Sequence, residues 1–153
     1  MTDTSQTVTD ALGAMPLAEA SLLFNQGFCE AIGLEYLELT GDRVQARWQV
    51  GPHLFQPAGI VNGGVYCTVV ETLASIAGTV WLGDRGHVVG VNNNTDFLRA
   101  ARTGTLTATG TPIHRGRTQQ LWQVVIVDEQ ERLIARGQVR LANIEDTGRL
   151  ANG

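Results

Sequence analysis

The chain has 153 residues, 43% of them hydrophobic, and a formal net charge of −4. That length suits one domain around one core and is short for two, and the acidic balance argues against a general nucleic-acid binder. Cys29 and Cys67 stand alone, without CxxC spacing or a histidine-rich neighbourhood, so neither a disulfide framework nor a metal site is expected, and no resident cofactor is implied.

Residues 1–16 are polar and acidic with no basic n-region, which reads as a frayed tail and not a signal peptide; a cytoplasmic location is the default expectation. In "PLAEASLLFNQGFCEAIGL", Leu17, Ala20, Phe24, Phe28 and Ile32 recur at helical spacing and Gly33 offers a stop, predicting one short amphipathic helix. Val44, Ala46, Trp48 and Val50 alternate with Arg43, Gln45, Arg47 and Gln49, the pattern of a strand with one dry face. Thr40-Gly41-Asp42 joins it to the upstream "LEYLEL" as a hairpin, and "GPHLFQPAG" is a loop by its Gly and Pro content.

A helix of about twenty residues then starts near Gly63 and ends near Gly83 or Asp84, long enough to cross a small domain at ~1.5 Å per residue. Asn62, Gly63, Gly64, Thr68, Glu71, Thr72 and Ser75 interrupt its apolar run, which argues against a membrane span. Strands are expected at 87–97, 104–113, 119–127 and 132–143, the last two joined through Asp128-Glu129-Gln130-Glu131. In the final strand Leu133, Ala135, Gly137, Val139 and Leu141 alternate with Ile134, Arg136, Gln138 and Arg140. Residues 146–153 read as a second loose tail, leaving 17–145 as the single domain. Hairpin-linked strands and one buried helix imply an α+β fold in which an antiparallel sheet curls around the helix.

Two features of this pattern ask for chemistry. Glu71 lies inside the apolar helix, where a carboxylate needs either a partner or a use. Between Asp96 and Asp128 the chain has no acid but carries Arg99, Arg102, His114, Arg115 and Arg117, a local cationic region on an acidic protein with no lysine. His53, His87 and His114 are scattered and suggest no triad.

The element order resembles the hotdog fold over residues 34–143. "FQPAGIVNGGVYCTVVETLAS" is similar to the start of the central helix in PaaI-type and 4-hydroxybenzoyl-CoA-thioesterase-type enzymes, where His-Gly-Gly precedes an acid about two turns on. Here the match is Asn62-Gly63-Gly64 with Glu71, so the family's His is an Asn. "VNNNTDFLRAARTGTLTATGTPIHRGRTQQ" resembles the family's strand ending in Phe-Leu-Arg, its Thr-rich strand and its His-Arg-Gly-Arg turn. The resemblance implies an acyl-CoA thioesterase, acting on an acyl- or aroyl-CoA without cofactor, and a homo-oligomer, dimer or tetramer, in which each site takes the glycine turn from one chain and the acid from another. No nucleic acid or membrane partner is implied.

On that resemblance the Gly63 N–H is the oxyanion donor, at a helix N-terminus carrying about half a positive charge, with Gly64 beside it at the substrate. Glu71 is the nucleophile or general base, and Gln56 touches the thioester oxygen. Ser75, one turn beyond Glu71, is spaced to bond the carboxylate or the attacking water. Asn62 contacts the substrate loop, caps the helix, or both. Arg99, Arg102, Arg115 and Arg117 are candidates for the phosphates of coenzyme A. Each has a plainer alternative: glycines for a tight turn, Glu71 paired with an arginine such as Arg99, a packing Ser75, a solvated Gln56, arginines on a strand edge. At the level of activity the alternatives are a hydratase or dehydratase of 3-hydroxyacyl thioesters, which needs a His where Asn62 stands, and a non-catalytic acyl-CoA-binding module.

Overall fold

In the computed structural model, which describes residues 15–145, two short helices come first, α1 (Leu17–Phe24) and α2 (Phe28–Ile32). Then follow β1 (Glu35–Leu39), β2 (Val44–Gln49), the long α3 (Gly63–Leu82), β3 (His87–Phe97), β4 (Thr105–Arg115), β5 (Gln119–Val127) and β6 (Leu133–Ile144). The tail expectation for 146–153, and that for 1–16 up to residue 14, lie outside the described residues. All six strands pair antiparallel in the order β1-β2-β4-β5-β6-β3. The helix α3 touches every one of them, so the sheet wraps it.

The alternation read in the sequence builds this core. Val44, Ala46 and Trp48 of β2 are buried, and their register with Gly110, Ala108 and Leu106 of β4 continues the same dry face into the next strand. Trp122, Val124 and Ile126 of β5 and Val139 and Leu141 of β6 extend it, and Val69, Val70, Leu73, Ala74 and Ala77 of α3 fill the concavity. Each large side chain buried there contributes about 1.5–3 kcal/mol. At Gly78 the helix comes so close that a Cβ would overlap Leu141. Gln120, fully buried beside it, is satisfied: its Nε2 donates to Gly78 O (3.3 Å) and Asn143 Oδ1 (2.7 Å), and its Oε1 accepts from Trp122 Nε1 at 2.7 Å.

Three expectations shift. The single N-terminal helix is two, because Asn25 closes α1 and Gly27 takes a left-handed φ of +58°, which turns Phe28 out to 62% exposure. Gly33 stops α2 as expected, at φ +81°. β4 runs on to Arg115 past a bulge at Ile113, and in β6 Leu133 is exposed while Ile134 is buried, because the register with β5 shifts between Ile126 and Val127. A bulge reverses the faces of the residues beyond it, which strict alternation cannot anticipate.

β3 is the outer strand next to β6 and has no pairing on its other side among the described residues. It is eleven residues long and exposed along most of its length. Val89, Val91 and Phe97 on it, and Leu98 just after it, are large apolar side chains at 45–56% exposure.

Candidate active site

The loop ahead of α3 is a small closed structure. Phe55 bridges to Val61, Gln56 N–H donates to Ile60 O, Gly59 N–H returns to Gln56 O, and Val61 N–H ties the loop to Ala101 O at 3.0 Å. Arg102 Nη1 reaches the loop carbonyls of Ala58 and Gly59 at 3.5 and 3.3 Å. The helix thus starts from a fixed point. Asn62 is its N-cap, with Oδ1 accepting from Gly64 N–H at 2.8 Å. The capping alternative for Asn62 is therefore realised, and it occupies the Gly64 N–H.

The Gly63 N–H has no acceptor among the described residues. It opens onto a cleft of about 310 Å³ lined by Gln56, Ile60, Val61, Tyr66, Phe97, Leu98, Arg99 and Ala100. The Phe97 ring lies over Gly63 so closely that a Cβ would come within 2.6 Å of it, and Tyr66 stands 6.0 Å from that ring. Space for Phe97 thus explains the glycine, while the exposed N–H is what the glycine's position leaves for a ligand. Burial pushes the Tyr66 phenol up to about 12, so it sits in the cleft as a neutral hydroxyl. Gln56 has its Oε1 taken by Ala58 N–H at 2.8 Å and no partner for its Nε2 among the described residues.

Glu71 sits eight residues further along α3, about 12 Å from Gly63 at 1.5 Å per residue, and does not line that cleft. Its Oε2 accepts from Asn93 Nδ2 at 3.1 Å. The same Nδ2 donates to Cys67 O at 3.0 Å, and Thr95 Oγ1 donates to Asn93 Oδ1 at 2.7 Å. No arginine pairs with Glu71 among the described residues; Arg99 lies beside the Gly63 cleft at the start of the helix, whereas Glu71 is near its middle. The carboxylate is accompanied by a neutral amide and not by a cation. Ser75 makes no side-chain bond to it; the Ser75 carbonyl instead accepts from Thr79 Oγ1 at 2.8 Å.

The four arginines separate. Arg99 lies at the cleft with no side-chain partner among the described residues, and Arg102 braces the loop next to it. Arg115 is engaged elsewhere: its Nη1 donates to Gly41 O and Asp42 Oδ1, both at 2.7 Å, and its guanidinium lies 5.5 Å from the Trp81 ring and 6.0 Å from that of Trp122. It clamps the β1–β2 hairpin to the C-terminal end of α3, the opposite end from Gly63, so its guanidinium already has two acceptors within this chain. Arg117 is exposed on the β4–β5 turn near that same end, and its carbonyl accepts from Asn143 Nδ2. Asn93, Gly90, Tyr66 and Phe97 were not singled out from the sequence; the one signal for Asn93 was a run of three asparagines inside a strand, where their propensity is low.

Comparison with known proteins agrees with this architecture. The thioesterase superfamily matches residues 58–135, the stretch from the loop through α3 to β6. A Mycobacterium tuberculosis protein, provisionally named an esterase, is 48% identical over 133 residues, covering 85% of this chain and 95% of its own. The proofreading thioesterase EntH of Cronobacter turicensis is 37% identical over 103 residues, 67% of this chain and 75% of that one. The crystal structure of a Haemophilus influenzae thioesterase superposes with a TM-score of 0.80 at 32% identity, covering 86% of this chain and 92% of the other. With a six-stranded antiparallel sheet wrapped on one long helix, an uncommitted N–H at that helix's start and a matching family over half its length, the chain belongs to the thioesterase superfamily and is a thioester hydrolase.

Proposed function

We propose that the substrate is an acyl- or aroyl-CoA, hydrolysed to the free acid and coenzyme A at a site shared by two copies of the chain. The observation that carries this reading is the state of Glu71: a carboxylate in an apolar helix, bound by one neutral amide and not neutralised by any arginine among the described residues. A charge kept for packing would be expected to carry a counterion. A charge kept for attack on a thioester would not.

In this reading the thioester carbonyl enters the Gly63 cleft and its oxygen takes the Gly63 N–H as negative charge develops on it, with Gln56 Nε2 as a second polar contact. The apolar walls at Ile60, Phe97 and Leu98 exclude water from the reacting carbon. Glu71 of the same chain is about 12 Å from that N–H, too far to act on the same carbon, so Glu71 of the partner subunit attacks the carbonyl or draws the proton from the attacking water. The C–S bond breaks and the sulfur takes up the proton drawn from water, leaving as the thiol; where Glu71 itself attacks, water then hydrolyses the acyl–Glu71 anhydride, which frees the acid and supplies that proton. The unpaired β3 edge, with Val89, Val91 and Phe97 exposed along it, supports pairing of two copies there. Arg99, at the mouth of the cleft and without a side-chain partner among the described residues, is the leading phosphate contact, with Arg102 next to it.

The test is product analysis with a panel of acyl-CoAs. Stoichiometric release of free thiol and acid supports the reading. Altered acyl unsaturation without thiol release would replace it with hydratase chemistry, and saturable binding with no turnover would replace it with a binding module. Light scattering at micromolar concentration checks the assembly: a monomer with full activity would refute the shared site.

A further inference from the structure

We infer that β3 carries a seat for the Glu71 carboxylate, made by the missing side chain of Gly90 and the amide of Asn93, and that these are positioning residues for the reaction. The inference rests on the proposed role of Glu71 and adds what holds it. Gly90 pairs with Leu141 and faces α3, and a Cβ there would overlap Glu71 Oε1. Gly90 is not among the residues with positive φ, so it is there for space and not for backbone conformation. Asn93 supplies the donor to Oε2.

Positions 90 and 93 are an odd number apart, so on a regular strand they would point to opposite faces. The register shift between Gly90 and Asn92 inserts Val91 as an extra residue, pairs Asn93 with the buried Val139, and thereby brings both onto the helix side. Thr95 Oγ1 bonds Asn93 Oδ1, so the amide turns its Nδ2 toward α3, where Cys67 O and Glu71 Oε2 receive it. One carboxylate oxygen is thus held by a neutral donor. The other, Oε1, sits in the space that Gly90 leaves open and has no donor among the described residues. A neutral donor fixes direction without cancelling the charge, and preorganisation of this kind is worth most when the reacting oxygen must meet a carbon held by another chain.

Gly90→Ala is a selective probe because the added methyl meets the far end of a flexible side chain and no backbone. The carboxylate can swing aside while the core stays in place. Expected in the assembled enzyme are a fall in kcat of about 10- to 100-fold for Gly90→Ala and about 10-fold for Asn93→Ala, with KM for an acyl-CoA changed less than about threefold and the melting temperature within a few degrees. Because both residues act through Glu71, neither change should add a further loss on top of Glu71→Gln, measured with enzyme in excess so that residual rates are resolved. Unchanged kcat in both variants, or losses that multiply with Glu71→Gln, would overturn the seat while leaving the role of Glu71 standing. A fully active Glu71→Gln would overturn both.

Discussion

Glu71→Gln separates chemistry from packing because its structural cost can be worked out in advance. The side chain is half-buried and receives one hydrogen bond, from Asn93 Nδ2 at 3.1 Å. A glutamine keeps the shape and still presents a carbonyl oxygen to that donor, so the loss is the difference between a charge-assisted and a neutral hydrogen bond, about 1 kcal/mol. For a chain of 153 residues that corresponds to a fall in Tm of roughly 2–4 °C. Had the carboxylate balanced a buried arginine, removing it would strand the cation at about 3–5 kcal/mol and lower Tm several times further. Catalysis should respond on a different scale, with kcat down roughly 10²-fold or more through loss of the base or nucleophile. Thermal unfolding and thiol release measured on one preparation give both numbers. A strongly destabilised variant whose folded fraction hydrolyses acyl-CoA at the original rate would refute the reasoning.

The arginines should divide by site. Arg99→Gln is expected to raise KM for acyl-CoA several-fold with little change in kcat, and to leave a truncated thioester without the nucleotide unaffected; steady-state kinetics on both substrates checks it, and equal losses on the two would remove the phosphate contact. Arg115→Ala should instead lower stability by about 1–2 kcal/mol, mostly through the hydrogen bond to Gly41 O and the contact over Trp81 because the Asp42 carboxylate is largely exposed, with KM unchanged in the folded protein. Tyr66 carries a pH signature: burial raises its pKa from the ordinary value of about 10 to about 12, so its stabilisation is complete below pH 10 and is lost as pH rises through the folded value. Denaturant unfolding at pH 9 and pH 11 should therefore show a loss on the order of 1 kcal/mol in the parent that is smaller in Tyr66→Phe.

What the sequence disclosed and what it hid divide along the reach of the interactions. The dry face of β2 and the length of α3 follow from spacing along one element, and Asn62-Gly63-Gly64 marks a helix start by local chemistry alone. Gln56 and Gly63 are near each other in the chain, but Arg99 joins their cleft only through long-range backbone bonds such as Val61 N–H to Ala101 O, which tie the loop to the segment after β3. The anchoring of Arg115 was hidden because its partners, Gly41 and Asp42 on one turn and Trp81 on the helix, lie far away in the chain, and an arginine in an acid-free stretch looks free until the sheet closes. Gly90 and Asn93 were hidden twice over, once by their distance in sequence from Glu71 and again by the bulge at Val91, which reverses which face they show. A strand that contains a glycine and three asparagines reads as a weak one by propensity. Its composition makes sense once it is required to leave room for a carboxylate and to hold it with a neutral donor, so the residues that fit the strand least are those closest to the chemistry.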